Sequence, residues 1–158
     1  MEIKIQLLTP TAKIPTRTYS TDTGYDIYAD SVEYISSPPQ IKVYTGIAVQ
    51  PEPGYYVEIY PRSSLAKKFV QLANSVGIID ETYTGQIIIV FNKIPSSVNR
   101  LDMNLGNRGL NYPAVASVEV GEKIAQMVVR KRIDAEFTKV DALDKTLRGA
   151  GGFGSTGK

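Results

Sequence analysis

The segment 41–49, IKVYTGIAV, decides the architecture. Ile41, Val43, Thr45, Ile47 and Val49 fall on one face of an extended chain, and Lys42, Tyr44, Gly46 and Ala48 fall on the other. A repeat of two is the signature of a β-strand, because successive side chains of an extended backbone point to opposite faces. Working towards the N-terminus, Ile3, Ile5 and Leu7 alternate with Glu2, Lys4 and Gln6 in the same way. Towards the C-terminus, Val57 and Ile59 follow a Pro53-Gly54 turn, and Gln86 to Phe91 reads as one continuous apolar strand. Val118, Val120, Ile124 and the run 127–129 predict two more. The stretch 74–85, NSVGIIDETYTG, predicts a β-hairpin with an acidic turn at Asp80-Glu81. Only Ser63 to Phe69 suggests a helix, with Ala66 and Lys67 as helix formers. At least about eight short strands punctuated by Gly and Pro predict an all-β fold, a distorted jelly-roll barrel or sandwich with little helix.

Two stretches stand outside that pattern. Residues 94–114, IPSSVNRLDMNLGNRGLNYPA, are polar and aperiodic, and predict a surface insertion. Residues 148–158, RGAGGFGSTGK, include five Gly and predict a flexible C-terminal arm on a β domain spanning 1–147.

Composition narrows the chemistry. With 158 residues the chain has room for one domain and a substantial core. A formal charge of +2 without a long Lys/Arg run argues against bulk nucleic-acid binding. There is no Cys, hence no disulfide and no thiolate nucleophile, and no His, the usual general base and zinc ligand. Hydrolytic chemistry then falls to carboxylates and a hard, oxygen-seeking metal such as Mg²⁺. The opening MEIKIQLLTPTAK is too short and interrupted for a signal peptide or a membrane span, so the expectation is a cytoplasmic protein (or a nuclear one, if from a eukaryote or its virus) without a membrane partner.

Five stretches can carry chemistry. In the arm, Gly-rich backbone can aim successive N–H groups at one anion, Arg148 adds charge, Ser155 and Thr156 add hydroxyls, and Phe153 can lie on a flat ring. In 74–85, Asp80 is placed either to deprotonate a water or to close a turn on its own backbone, with Tyr83 and Gly85 beside it. In PRSSLA, 61–66, Arg62 with Ser63 and Ser64 opens a short helix, a combination that suits either an anion or an ordinary N-cap. TGYDIYA, 23–29, and GEKIAQM, 121–127, each read as a turn leading into a strand, with Asp26 and Gln126 as the polar residues needing partners.

In chain order these five stretches resemble the five motifs of the homotrimeric dUTPase family, from Gly24 to Gly157. The resemblance implies cleavage of dUTP to dUMP and pyrophosphate by attack of water on the α-phosphorus. That reaction limits uracil incorporation into DNA and supplies dUMP for dTMP synthesis. It implies that Asp80 is the general base and that Tyr83 lies under the deoxyribose, leaving no space for a 2′-OH. Asn74 and the backbone from Gly77 to Ile79 match the uracil-reading edge. Arg62, Ser63 and Ser64 match phosphate contacts, and Gln126 matches the glutamine near the α-phosphate. Asp26 matches the aspartate that touches the water shell of Mg²⁺, itself held mainly by the phosphates. Arg148, Gly154, Ser155 and Thr156 match the γ-phosphate grip, and Phe153 matches the ring that stacks on uracil. A homotrimer with active sites shared between subunits is implied as well. Ser64 departs from the usual glycine, Thr84 from a frequent arginine, and Glu122 from a common aspartate. Two alternatives share the shell: a dCTP deaminase, disfavoured because Gln86 to Phe91 carries no carboxylate, and a nucleotide-gated binding protein.

Overall fold

The computed structural model describes residues 1–94 and 117–152. Ten strands run through them in the order β1 (Ile3–Leu7), β2 (Tyr25–Tyr28), β3 (Ser31–Ile35), β4 (Gln40–Tyr44), β5 (Ile47–Pro51), β6 (Tyr55–Pro61), β7 (Val70–Leu72), β8 (Gly77–Ile79), β9 (Ile88–Lys93) and β10 (Lys123–Lys131). They form an antiparallel pair β1-β5 and two four-stranded antiparallel sheets, β2-β10-β6-β8 and β3-β4-β9-β7. The inner faces of the two sheets meet in one core. Ile27, Val57, Ile59, Ile124, Ala125 and Met127 come from the first sheet, and Ile41, Val43, Val70, Leu72, Ile89 and Phe91 from the second. This is the all-β jelly-roll arrangement that the alternation predicts.

Segment 41–49 explains how one apolar pattern serves two sheets. Ile41, Val43, Thr45, Ile47 and Val49 are all buried, yet β4 and β5 belong to different sheets. The chain turns between them at Gly46, whose φ of 66° suits a residue without Cβ. A Cβ at Gly46 would also lie 2.7 Å from that of Ala12. Thr45, the polar member of the run, is satisfied internally: its hydroxyl donates to the carbonyl of Ile87 at 2.7 Å.

Strand β10 departs from simple alternation, and the departure matters later. The register with β2 shifts between Lys123 and Ala125, so Ile124 and Ala125 both face the core. In a regular strand residues three apart lie on opposite faces; this bulge brings Lys123 and Gln126 to the same one.

Three sequence expectations need correction. The segment 74–85 does not pair with itself: β8 joins β6 in one sheet, while β9 joins β4 and β7 in the other. The apolar alternation marked two strands but carried no information on their partners. Val118 and Val120 form no strand; Val118 is buried beside Tyr34, whereas Val120 is exposed just before the turn at Gly121. The helix is a single 3-10 turn, Ser63–Lys67, that buries only Leu65.

The predicted insertion falls almost wholly at 95–116, outside the described residues. The chain on either side of it is tied to one place. The Ile94 N–H donates to the Phe69 carbonyl at 2.8 Å, Lys68 Nζ donates to the Ser117 carbonyl at 3.1 Å, and the Tyr34 hydroxyl bridges the backbone of Val118. After Lys131 the described chain has no further strand, and residues 132–150 are exposed.

Candidate functional site

The candidate residues gather in two groups. The first lies at the end of the β2-β10-β6 sheet. Asp26, only 5% exposed, faces away from the core opposite Gln126. Its carboxylate pairs with Arg62 Nε and Lys123 Nζ, each at 2.9 Å, and Gln126 Nε2 approaches at 3.5 Å. Arg62 also donates to the Lys123 carbonyl at 3.2 Å. Burial works against the Asp26 charge, but the hydrogen bond from Lys123 and the Arg62 charge outweigh it and hold the carboxyl below the ordinary aspartate range. Three stretches distant in sequence thus meet in one cationic knot, with Asp26 setting the direction of two positive side chains. Gly24 belongs to the same group, since a Cβ there would stand 3.1–3.2 Å from the Gln126 side chain.

Ser63 and Ser64 follow Arg62 directly and are exposed. Neither caps the 3-10 turn; the cap residue is Arg62, without a side-chain cap bond. Their hydroxyls are therefore not consumed by capping. Ser64 is not among the residues with positive φ, so serine in place of glycine requires no left-handed backbone.

The second group lies on and after β8. Gly77 is buried against Ile59, where a Cβ would approach to 3.2 Å, and the Asn74 amide stands 3.3 Å from the same point. Ile79 is partly buried, Ile78 is 63% exposed, and Asp80 is exposed at the turn that follows. Among the described residues β8 is the last strand of its sheet and pairs only with β6. Its outer side therefore presents backbone donors and acceptors that no neighbouring strand uses. Beyond Asp80 the Tyr83 N–H returns to the Asp80 carbonyl at 3.0 Å, and the Tyr83 hydroxyl donates to the Gln86 carbonyl at 3.0 Å. The ring crosses Gly85. An open cavity of about 390 Å³ is lined by Asp80 together with Tyr55, Tyr56, Ile78, Glu81, Thr82 and Arg132.

The two groups do not meet within one chain. Gln126 is level with Tyr60, and Ile79 is level with Val57. With strands about 4.8 Å apart and about 3.3 Å per residue, the Asp80 backbone lies roughly 16 Å from that of Gln126. Side chains of that length cannot close around one phosphorus atom. Arg148 joins neither group; its Nε donates to the Gly151 carbonyl at 2.9 Å within its own turn. Phe153, Gly154, Ser155 and Thr156 lie outside the described residues.

Sequence reading missed Lys123, because an unbroken strand would turn it away from Asp26. It also missed Glu81 and Arg132, whose partners lie far along the chain. A Lys three residues before a half-buried strand Gln was the available signal for the first; nothing local signals the others.

Comparison with known proteins bears on the chain as a whole. A family model described as dUTPase matches residues 10–100 and 112–157. The chain is 37% identical over 161 residues to the deoxyuridine 5'-triphosphate nucleotidohydrolase of Wolinella succinogenes, covering 100% of this chain and 95% of that one. It is 35% identical over 158 residues to the protein of the same name from Kluyveromyces lactis, covering 99% and 94%. Among solved structures, the Staphylococcus bacteriophage 80alpha dUTPase with dUPNHPP superposes with a TM-score of 0.77 at 26% identity, covering 99% of both chains.

Proposed function

The chain belongs to the dUTPase family, and on that premise we propose that it hydrolyses dUTP to dUMP and pyrophosphate at sites built from more than one copy of itself. The observation that carries the reading is the edge strand β8, which ends at Ile79, just before Asp80, and whose outer backbone side pairs with no other strand among the described residues. Uracil has donors and acceptors along one edge, and Gly77 to Ile79 with Asn74 offers their complement. A wrong base would leave buried polar groups unmatched, at about 1–3 kcal/mol each. Tyr83, standing across Gly85, is placed to lie against the sugar and to crowd a 2′-OH.

In the chemical step Asp80 accepts a proton from a water as the water oxygen bonds to the α-phosphorus. The bond from that phosphorus to the bridging oxygen breaks, and pyrophosphate leaves. Positioning and charge neutralisation supply most of the barrier reduction in such transfers. Arg62, Ser63, Ser64 and Gln126 bind phosphate oxygens, with Asp26 aiming Arg62. Arg148, Gly154, Ser155 and Thr156 grip the terminal phosphate, and Phe153 covers the base.

Among the described residues no three acidic side chains gather into a cation cage. A lone Asp26 between two cations fits contact with the water shell of a phosphate-bound Mg²⁺ rather than direct ligation. When bound, the ion would neutralise charge developing on the phosphate chain.

The separation of roughly 16 Å between Asp80 and Gln126 favours assembly of each site from different subunits, in a homotrimer as the family resemblance implies. Two surfaces support such assembly. Residues 132–150 lie exposed with Ile133, Phe137, Leu143 and Leu147 uncovered. An apolar groove of about 390 Å³ runs along Ile3, Ile5, Ile14, Val49, Met127 and Val129. No helix among the described residues is long and apolar enough to cross a membrane.

Release of pyrophosphate from dUTP, UTP, dTTP and dCTP, measured side by side, tests the proposal. Strong preference for dUTP is expected; comparable cleavage of UTP would contradict the role given to Tyr83. Ammonia released from dCTP would favour the deaminase alternative.

A further inference from the structure

Three pieces of chain far apart in sequence are tied together beside Asp80. Glu81 Oε2 accepts the backbone N–H of Gly54 at 2.8 Å, and Glu81 Oε1 pairs with Arg132 Nη1 at 2.9 Å. The Arg132 backbone N–H donates in turn to the Gly54 carbonyl at 2.8 Å. Gly54 sits in the turn between β5 and β6 at a φ of 82°. The Glu81 carboxylate is largely shielded, and both of its oxygens are used. Arg132 holds a second carboxylate, that of Asp134, through Nε at 3.0 Å, where the chain leaves β10. The result is a closed clasp of three backbone segments, two of them turns.

Asp80 is the neighbour of Glu81 and, among the described residues, has little else to fix it. It is exposed, follows a strand of three residues, and its turn is closed by one backbone bond, from Tyr83 N–H. A general base must be held to within about 0.5 Å of its productive position. An ordinary exposed ion pair would not do this, since long side chains at a surface hold each other loosely. Here the carboxylate also accepts from a backbone N–H on a different turn, which fixes it at both oxygens.

We propose that Glu81, bonded at once to Gly54 and Arg132, is a positioning residue that holds the Asp80 turn in place for proton abstraction, with Arg132 as its obligatory partner. The proposal rests on the reading of Asp80 as the base. Neither Glu81 nor Arg132 touches substrate in it; both act through the turn.

The full chain is assayed for steady-state dUTP hydrolysis with Mg²⁺, comparing Glu81→Gln, Arg132→Gln, Arg132→Lys, the Glu81→Gln/Arg132→Gln double variant and Asp80→Asn. Glu81→Gln and Arg132→Gln are each expected to lower kcat about tenfold, with KM within about twofold, because a displaced base affects the transition state more than ground-state binding. The double variant should be no slower than the slower single one, as expected for partners in one unit. Arg132→Lys, which keeps the charge, should recover most of the loss. Wild-type kcat in Glu81→Gln, or additive losses in the double variant, would overturn the clasp. Losses that track thermal melting and raise KM in parallel would also overturn it, as the mark of a merely structural pair. Should Glu81→Gln fold poorly, Arg132→Gln decides the matter alone, since that side chain is exposed. Asp80→Asn separates the two readings: turnover retained there removes the base assignment itself, whereas turnover lost there but kept in Glu81→Gln removes the clasp only.

Discussion

A Cβ on Gly85 would stand 2.6 Å from the Tyr83 hydroxyl and 2.7 Å from the ring carbon that bears it, so the ring lies directly across a residue that has no side chain. The hydroxyl is pinned there by its bond to the Gln86 carbonyl. Gly85→Ala must push the ring away or break that bond. If the ring sets the depth of the sugar pocket, the ratio of dUTP to UTP cleavage should fall by roughly tenfold to a hundredfold, the scale of small misplacements at a reacting site. Competing both nucleotides in one assay measures it; an unchanged ratio would remove Tyr83 from sugar selection.

Asp80 directly follows β8, whose outer edge pairs with no strand among the described residues. Asp80→Asn keeps the shape of the turn and removes the proton acceptor. Positioned general bases contribute about 10²–10⁴-fold, so kcat should drop by that amount while KM for dUTP stays near the wild-type value. Steady-state pyrophosphate release is the measurement, and turnover within twofold of wild type would exclude Asp80 as the base.

Asp26 gives a prediction in pH. Its folded-state carboxyl lies below the ordinary aspartate value, about 3.9, because Lys123 and Arg62 outweigh the cost of burial. A lowered value means stability that is fully present above the unfolded pKa and is lost as pH falls through the folded one. Asp26→Asn should therefore melt below wild type at pH 7 by a margin that holds steady down to about pH 5. The margin should shrink at lower pH, as the wild-type carboxyl takes up its proton. Glu58 is also held low, by Tyr60, Arg130 and Tyr56, none of which belongs to the Asp26 knot. Comparing the two melting curves cancels its contribution. A margin that stays constant to pH 2 would show that the Asp26 charge is not what the knot uses.

How much of this was legible in the sequence differs from residue to residue. Ile41 to Val49 announced a strand pattern, and Ile41, Val43, Thr45, Ile47 and Val49 are all buried; the change of sheet at Gly46 was not announced, because alternation records faces and not partners. The same limit made one hairpin of β8 and β9, which sit in different sheets. Asp26, Arg62 and Gln126 could be named from their motifs, and the structure brings them together. Lys123 could not, since only the bulge at 123–125 turns it towards Asp26. Glu81 and Arg132 stand 51 positions apart and meet through a turn that neither flanks. Long-range polar pairs of this kind follow from the packing of sheets, and no local pattern encodes them.

The distance between Asp80 and Gln126 yields the most direct test of site sharing. Both are assigned to the same phosphorus, yet roughly 16 Å of sheet separates them in one chain, set by two strand spacings and four residues of register. The same separation applies in kind to Arg62, which sits beside Asp26 at the Gln126 end. If neighbouring copies supply the two halves, Asp80→Asn and Arg62→Ala damage different halves of each site. Either variant alone should be nearly inactive. Co-expressed, they should form mixed assemblies in which about one site in four joins an intact Asp80 to an intact Arg62, for random mixing in a symmetric ring. Turnover should rise towards that fraction of wild type, at an unchanged KM. Arg62→Ala leaves Asp26 paired with Lys123, so the variant keeps a counter-charge for the buried carboxylate and should fold. Were each chain to hold a complete site, mixing would restore nothing, and the activity of the mixed preparation would equal the mean of its two dead parents.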